Sequence, residues 1–196
     1  SGLATAPAAL ARDAETFEID PSHTQVIFTV GRFDFTTVFG AFTDISGTVW
    51  LDRDSPENSR VEARAATGSA WLGDETRRTH VLGPHWLNAE ANPELVFTSS
   101  GVELVDETMA RVTGDLTVFG QTHPVTFDVR LNQLGTDPSN QREAAGFTVN
   151  GSIDRTEWGN TTATPCPLVG ARLGNRFHRQ ALDLRAHAVT TDPGNT

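Results

Sequence analysis

Hydrophobic and polar residues alternate along most of this chain, most clearly over residues 111–131, RVTGDLTVFGQTHPVTFDVRL. Val112, Gly114, Leu116 and Val118 are apolar or small, and the residues between them are polar. Val125, Phe127, Val129 and Leu131 resume the pattern after a break. A period of two is what a strand needs when one face is wet and the other is covered. Residues 119–124 supply the reversal, since Gly120 permits positive φ and Pro124 suits a strand start that needs no ladder donor. The stretch predicts a β-hairpin with one buried face.

The same pattern recurs in both directions. Residues 17–20 open it, and Val26, Phe28 and Val30 share one face of a strand over 24–30. Phe33, Phe35, Phe39 and Phe42 crowd around Gly40, and one long strand is expected over 38–52 with Gly47 as a bulge. Residues 52–59 (DRDSPENS) are a turn, and 61–67 alternate again. One helix is expected: Gly73-Asp74-Glu75 offers a cap and first-turn acids, and Gly83-Pro84 ends the run. Its apolar side carries Val81, Leu82, Trp86 and Leu87. Strand material follows at 93–100 and 102–105, then the hairpin, a turn at 135–141, a strand at 147–153 and a last one at 182–188. Strands at this spacing, with a single helical interruption, predict an all-β fold. An eight-stranded antiparallel barrel accounts for them best, because ring closure removes sheet edges. The helical segment near residues 73–88 is then a lid.

The inward faces mix large and very small residues: Phe28, Leu116, Phe127 and Phe147 beside Ala63, Ala65, Gly114, Gly151, Ala186 and Ala188. Two readings stay open. Large residues fill the gaps left opposite small ones and make a packed core, or the small residues leave a lumen for an apolar guest. The alternation puts no charged residue on these faces, so a guest would be apolar.

Composition narrows the classes. The net charge is −10 and there is no lysine, which argues against nucleic acid and against adhesion to anionic lipid. The single cysteine, Cys166, excludes an internal disulfide and a cysteine-based metal cluster. No apolar run reaches the ~20 residues of a membrane helix, so no stable membrane insertion is expected. The expected organisation is a flexible N-terminal segment at 1–15, left by a signal peptide or by cloning, one barrel domain over 16–190, and a flexible tail at 191–196. Catalytic chemistry finds no support in the spacing. His80 and His85 are five apart across the Gly83-Pro84 break, the wrong spacing for a metal pair on one helix. Asp20, Ser22 and His23 are too close in sequence to form a triad, and His23 is expected to bond local backbone. Asp154, Arg155 and Glu157 read as rim salt bridges, and Cys166 as an inert thiol. No catalytic residue and no metal site are nominated.

Several stretches carry a family resemblance: FEIDPSHTQVIFTV, FTTVFGAFTDISGTVWLD, RRTHVLGPHWLNAEANPELVFTSS, VTGDLTVFGQTHPVTFDV and SIDRTEWG. The most specific is GDLTVFGQTHPV, where Gly114, Leu116, Thr117, Gly120, Thr122, Pro124 and Val125 match a Gly-x-Leu-Thr-hydrophobic-x-Gly-x-Thr-x-Pro-Val pattern. Over residues 17–189 the chain resembles the YceI-like family, bacterial polyisoprenoid-binding proteins with a lipocalin-like barrel. It departs from the family at Arg78, where an Asp is usual, at Val81, at Gly31-Arg32, and in a longer, Pro-rich region over 161–176. The resemblance implies a periplasmic or secreted carrier that holds a polyisoprenoid or isoprenoid quinone in the barrel. That lipid would be the ligand, with no cofactor, no reaction and a homodimer as the assembly. The nominated lining residues, chosen on inward alternation, are Val26, Phe28, Phe33, Phe35, Ala63, Phe97, Leu116, Phe127 and Phe147, with Leu82, Trp86 and Trp158 near the mouth. Two other functions compete. One is a packed stress-response or interaction module. The other is an enzyme for a small hydrophobic substrate, which would need His80, His85, Asp154 or Glu157 to converge.

Overall fold

The computed structural model describes residues 14–32, 36–154, 157–159 and 183–190. In chain order it holds strands β1 (Glu15–Ile19), β2 (Val26–Arg32), β3 (Thr36–Phe42), β4 (Ile45–Leu51), β5 (Arg60–Ala66) and β6 (Ala70–Trp71), then helix α1 (Glu75–Leu82). Strands β7 (Glu94–Leu104), β8 (Met109–Val118), β9 (Gln121–Thr136), β10 (Glu143–Asn150) and β11 (Asp183–Thr190) follow. Every pairing is antiparallel. The order β1-β4-β5-β7-β8-β9-β10-β11 is closed by a β1–β11 pairing, so eight strands form the expected ring. The sheet also continues from β11 through β2 and β3 to β6, an arm outside the ring.

The hairpin lies in the ring wall, but its turn is tighter than expected. Val118 pairs with Gln121, so only Phe119 and Gly120 make the turn, both with positive φ (52° and 72°). That is the two-residue loop whose twist matches the flanking strands. Pro124 therefore lies inside β9, opposite Asp115. β10 reaches β9 only as far as Asp128, so β9 has an edge at Pro124 and the missing N–H costs no ladder bond there.

Three further boundaries differ from expectation. The long strand over 38–52 is two strands. Thr43, between them, donates its N–H to the Ser69 hydroxyl and its own hydroxyl to the Ser69 carbonyl, which holds the chain in the bend. Gly47 is not a bulge: β4 and β5 stay in register there. Its φ of 144°, and an ideal Cβ position only 2.1 Å from the Glu62 carbonyl oxygen, make it a site of close backbone approach. β10 begins at Glu143 and ends at Asn150, leaving Gly151 and Ile153 outside the strand. Within β7, the two stretches expected separately are continuous, with a register shift between Ser99 and Gly101. The helix forms as expected. The Asp74 carboxylate accepts the Arg77 N–H at 2.7 Å, and the Gly83 N–H closes on the His80 carbonyl.

Two apolar clusters occupy opposite ends of the strands. One contains Phe17 and Ala145, both fully buried, with Val49, Leu51, Leu134 and Phe147 against them. The other contains Ile19, Phe42, Ile45, Ala65, Ala70 and Leu72. β4 runs from the second cluster at Ile45 to the first at Leu51. Val81 and Leu82 of α1, and Leu87 just after it, pack against the second cluster, so the helix covers that end.

Candidate binding site at the helix end of the barrel

Register brings small and large apolar residues into rows across the inner wall. Gly47 pairs with Ala63, Ala63 with Phe97, Phe97 with Leu116 and Leu116 with His123. This row crosses β4, β5, β7, β8 and β9. One step nearer the helix, Ile45 pairs with Ala65 and Ala65 with Leu95, and Val118 pairs with Gln121. Val129 of β9 pairs with Val149 of β10, and in the arm outside the ring Val26 of β2 pairs with Phe42 of β3. Antiparallel partners share a face, so each row lines the same wall.

The nominated residues fall into distinct places. Ala63, Phe97 and Leu116 stand side by side in the first row. Val26, Phe28, Ala63 and Leu82 pack against the helix-end cluster, and Phe28 meets Phe42 at 5.2 Å between ring centroids. Phe97 and Phe127 meet edge to face, also at 5.2 Å. Phe147 belongs to the opposite end, packed beside Phe17 and Ala145. Trp158 is buried and donates its indole N–H to the Leu116 carbonyl at 3.0 Å. Trp86 is half-buried and stands edge-on to the exposed His80 at 6.4 Å. Phe33 and Phe35 lie outside the described residues, as do Arg155 and Cys166.

Three rings lie over glycines. An ideal Cβ at Gly40 would meet Phe28 at 2.5 Å, one at Gly114 would meet Phe97 at 2.7 Å, and one at Gly151 would meet Phe127 at 2.2 Å. At these three positions the space a small residue leaves is taken by an aromatic ring, as in the packed reading of the inner faces.

The wall also carries two polar side chains that the alternation reading passed over. His123 shares the inner row with Leu116, and Gln121 lies one step nearer the helix end. The signal was present: the alternation that places Val125 and Phe127 inside places 123 and 121 inside as well. It was masked because 121–124 read as turn. The His123 ring stands edge-on to Trp158 at 5.0 Å, and among the described residues it has no hydrogen-bond partner.

Arg78 ties the helix to the neighbouring stretch of chain. The Arg78 guanidinium donates to the carbonyls of Gly68 (2.7 Å) and Ala70 (3.0 Å) and pairs with Glu75. α1 is thereby tied to the link between β5 and β6. At the opposite end, Arg53 spans Glu15 of β1 (2.6 Å) and Glu143 of β10 (2.7 Å).

Of the polar groups weighed for catalysis, His80, His85 and Glu157 are exposed and Asp154 is half-buried, and no metal-binding group of three occurs among the described residues. Asp20, Ser22 and His23 meet within one turn without forming a triad, as their closeness in sequence implies. His23 Nδ1 lies 2.7 Å from the Asp20 carboxylate and 3.1 Å from the Ser22 hydroxyl, which itself bonds Asp20. Both contacts fall on one imidazole nitrogen, so the group is a local turn and not a proton relay. The Ser22 hydroxyl, helped by His23, holds the Asp20 carboxyl down to about 2 against an ordinary 3.8.

A closed ring of eight antiparallel strands, capped at one end by a helix, defines a β-barrel of the lipocalin-like kind. Its particular family follows from sequence: the YceI-like domain matches residues 17–180, and the chain belongs to that family. A UPF0312 protein of Pseudomonas putida strain GB-1 is 32% identical over 160 residues, covering 81% of this chain and 82% of its own. Among solved structures, the YCEI protein of Campylobacter jejuni matches with a TM-score of 0.68 at 22% identity, over 81% of this chain and 88% of that one. A polyisoprenoid binding domain from Saccharophagus degradans, implicated in plant cell wall breakdown, matches with a TM-score of 0.61 at 8% identity, over 91% and 99%.

Proposed function

We propose that this barrel binds a long apolar lipid, a polyisoprenoid or an isoprenoid quinone, and carries or stores it in the periplasm or outside the cell. The observation that carries the reading is the apolar inner row Gly47–Ala63–Phe97–Leu116, lying beside a helix whose Leu82 packs against the same cluster as Ala63. Such a wall offers a hydrocarbon chain contact without polar competition. Each buried CH₂ contributes about 0.8 kcal/mol, so a few isoprene units reach useful affinity with no anchor at all. Membership of the YceI-like family, and the likeness in fold to a polyisoprenoid binding domain, support the same choice.

The test is a titration of delipidated protein with a short-tailed isoprenoid quinone, followed by quenching of tryptophan fluorescence. Trp158 on the inner wall should report a saturable, one-to-one event that a prenyl hydrocarbon competes away. Absence of quenching and of competition overturns the reading. The rings over Gly40, Gly114 and Gly151 favour a second one, a packed module without a guest. That module predicts no uptake of any chain in the same titration.

A further inference from the structure

We propose that the exposed pair Phe39–Trp71, with Arg77 beside it, is the surface by which the barrel docks on a zwitterionic phospholipid bilayer. The proposal rests on the reading of the barrel as a lipid carrier and adds the place where lipid is collected and delivered. Its first test reads docking with no guest present.

Alternation in the arm sets the pair. Phe42 of β3 and Ala70 and Leu72 on either side of Trp71 are buried in the helix-end cluster, and Gly40 lies under the Phe28 ring. Successive side chains of a strand point to opposite faces, so Phe39 and Trp71 turn outward. They are 57% and 49% exposed, and their rings meet at 5.7 Å between centroids. The Trp71 ring reaches over Gly73, whose ideal Cβ would lie 3.8 Å from it, just before α1 begins. Two neighbouring aromatic side chains are thus held in water on the outside of the same arm that closes the helix end. A long prenyl chain is almost insoluble in water, so a carrier meets its lipid in a bilayer, and the end beneath the helix has to reach that surface.

Charge selects the kind of bilayer. Among the described residues, Arg53, Arg64, Arg78 and Arg111 each pair with a carboxylate. Arg77 does not: it is exposed, and its guanidinium donates to the carbonyl of Leu72, next to Trp71, at 3.0 Å. Its remaining N–H groups suit a lipid phosphate, while Trp and Phe suit the zone between headgroup and acyl chain. Asp74 and Glu75 offset Arg77 and Arg78 in this segment, and the chain as a whole carries −10. A neutral surface therefore fits, and an anionic one does not. The second exposed apolar pair, Leu104 and Val105, lies at the far end of β7 and is followed by Asp106 and Glu107. It has neither ring nor cation and serves as the control.

The experiment floats the delipidated whole chain with phosphatidylcholine vesicles at millimolar lipid, and with vesicles enriched in phosphatidylglycerol. Replacing both rings (Phe39→Ser with Trp71→Ser) should weaken partition about tenfold or more, since each gives up part of the burial of an aromatic side chain. Phe39→Ser alone should lose about threefold to fivefold, which keeps the test open if the double variant does not fold. Phe39→Leu should retain most of the partition, Arg77→Gln should lose about twofold, and Leu104→Ser with Val105→Ser should stay within about twofold. Phosphatidylglycerol should not tighten binding. Wild type that ignores phosphatidylcholine overturns the proposal, as does an equal loss in the control pair. So does a wild-type dimer, seen by sedimentation, that the double variant dissolves, because the patch is then an interface between copies. Uptake of a quinone tests the role: it should slow several-fold in the double variant when the quinone is presented in vesicles, and not when it is presented in dilute solution. Undiminished uptake from vesicles overturns the docking role and leaves lipid binding intact. Wild type that docks yet takes quinone by neither route supports the docking surface and fails the lipid-binding reading.

Discussion

The two ends of the barrel are closed by different means. At the end away from the helix, the seal comes from the ring strands themselves: Phe17 of β1 and Ala145 of β10 are fully buried, and Arg53 straps β1 to β10 outside them. At the helix end, Ile19, Ile45 and Ala65 of the ring strands are joined by the buried Phe42, Ala70 and Leu72 from outside the ring, and half-buried side chains of α1 and β2 pack against them. The first closure cannot open without breaking ladder bonds. The second is an overlay, held by Arg78 on two carbonyls and by apolar contact. Under the proposed function, the difference predicts that substitutions at the first end cost stability and that those at the second change ligand passage.

The largest expected effect breaks the sealed end. Phe17→Ala should cost about 3–5 kcal/mol, because a fully buried ring leaves a cavity that the ring strands cannot collapse. For a chain of this size that lowers the melting temperature by roughly 6–20 °C, readable by circular dichroism. A loss below about 1 kcal/mol would mean that this end is not the core.

The next effect probes the wall between the ends. Gly151→Ala would drive a methyl group into the Phe127 ring, and overpacking of this kind costs about 1–3 kcal/mol. Phe127→Leu in the same chain should recover part of that loss, giving a coupling that denaturant melts of the single and double variants measure. Additive losses would show that the ring does not occupy the glycine's space.

The lid should respond differently. Leu82 is only half-buried, so Leu82→Ala should cost about 1 kcal/mol, well below Phe17→Ala. Exchange of a bound lipid, followed by tryptophan quenching, should nevertheless speed up several-fold, and Arg78→Ala should do the same. If Phe17→Ala speeds exchange and the lid variants do not, passage is at the other end.

The smallest effect is a pH term at the β1–β2 turn. The Asp20 carboxyl is held down to about 2, chiefly by the Ser22 hydroxyl, so its stabilisation is complete above its ordinary 3.8 and is lost as pH falls through about 2. His23 is two-thirds exposed, which limits the pairing to at most about 1 kcal/mol. Wild type should be slightly more stable than Asp20→Asn at pH 5, and the gap should close by pH 2. A gap that widens on acidification would contradict the sign.

Much of this architecture was legible in the alternation, because one covered face imposes a period of two whatever the packing partner. The ring of eight and the capped helix follow from the pattern; that Ala63, Phe97 and Leu116 stand side by side is set by register, which the pattern does not carry. The arm was not legible. Whether residues 38–52 run on as one strand or break at Thr43 depends on a long-range bond to Ser69 that local pattern does not contain. The depth of Phe147 in the barrel depends on its register with Leu131, which local pattern does not contain. His123 was hidden by a turn assumed to run to Pro124, when Phe119 and Gly120 suffice for it.

The most direct test of the central claim is to purify the protein from a bacterial host in the cold, extract it with organic solvent and weigh the extract by mass spectrometry. A prenyl lipid at close to one molecule per chain, reduced in the Leu82→Ala protein and retained by a variant on the outer surface such as Thr126→Ser, is the predicted result. An extract with no stoichiometric apolar compound, from protein that also refuses added quinone, would contradict it.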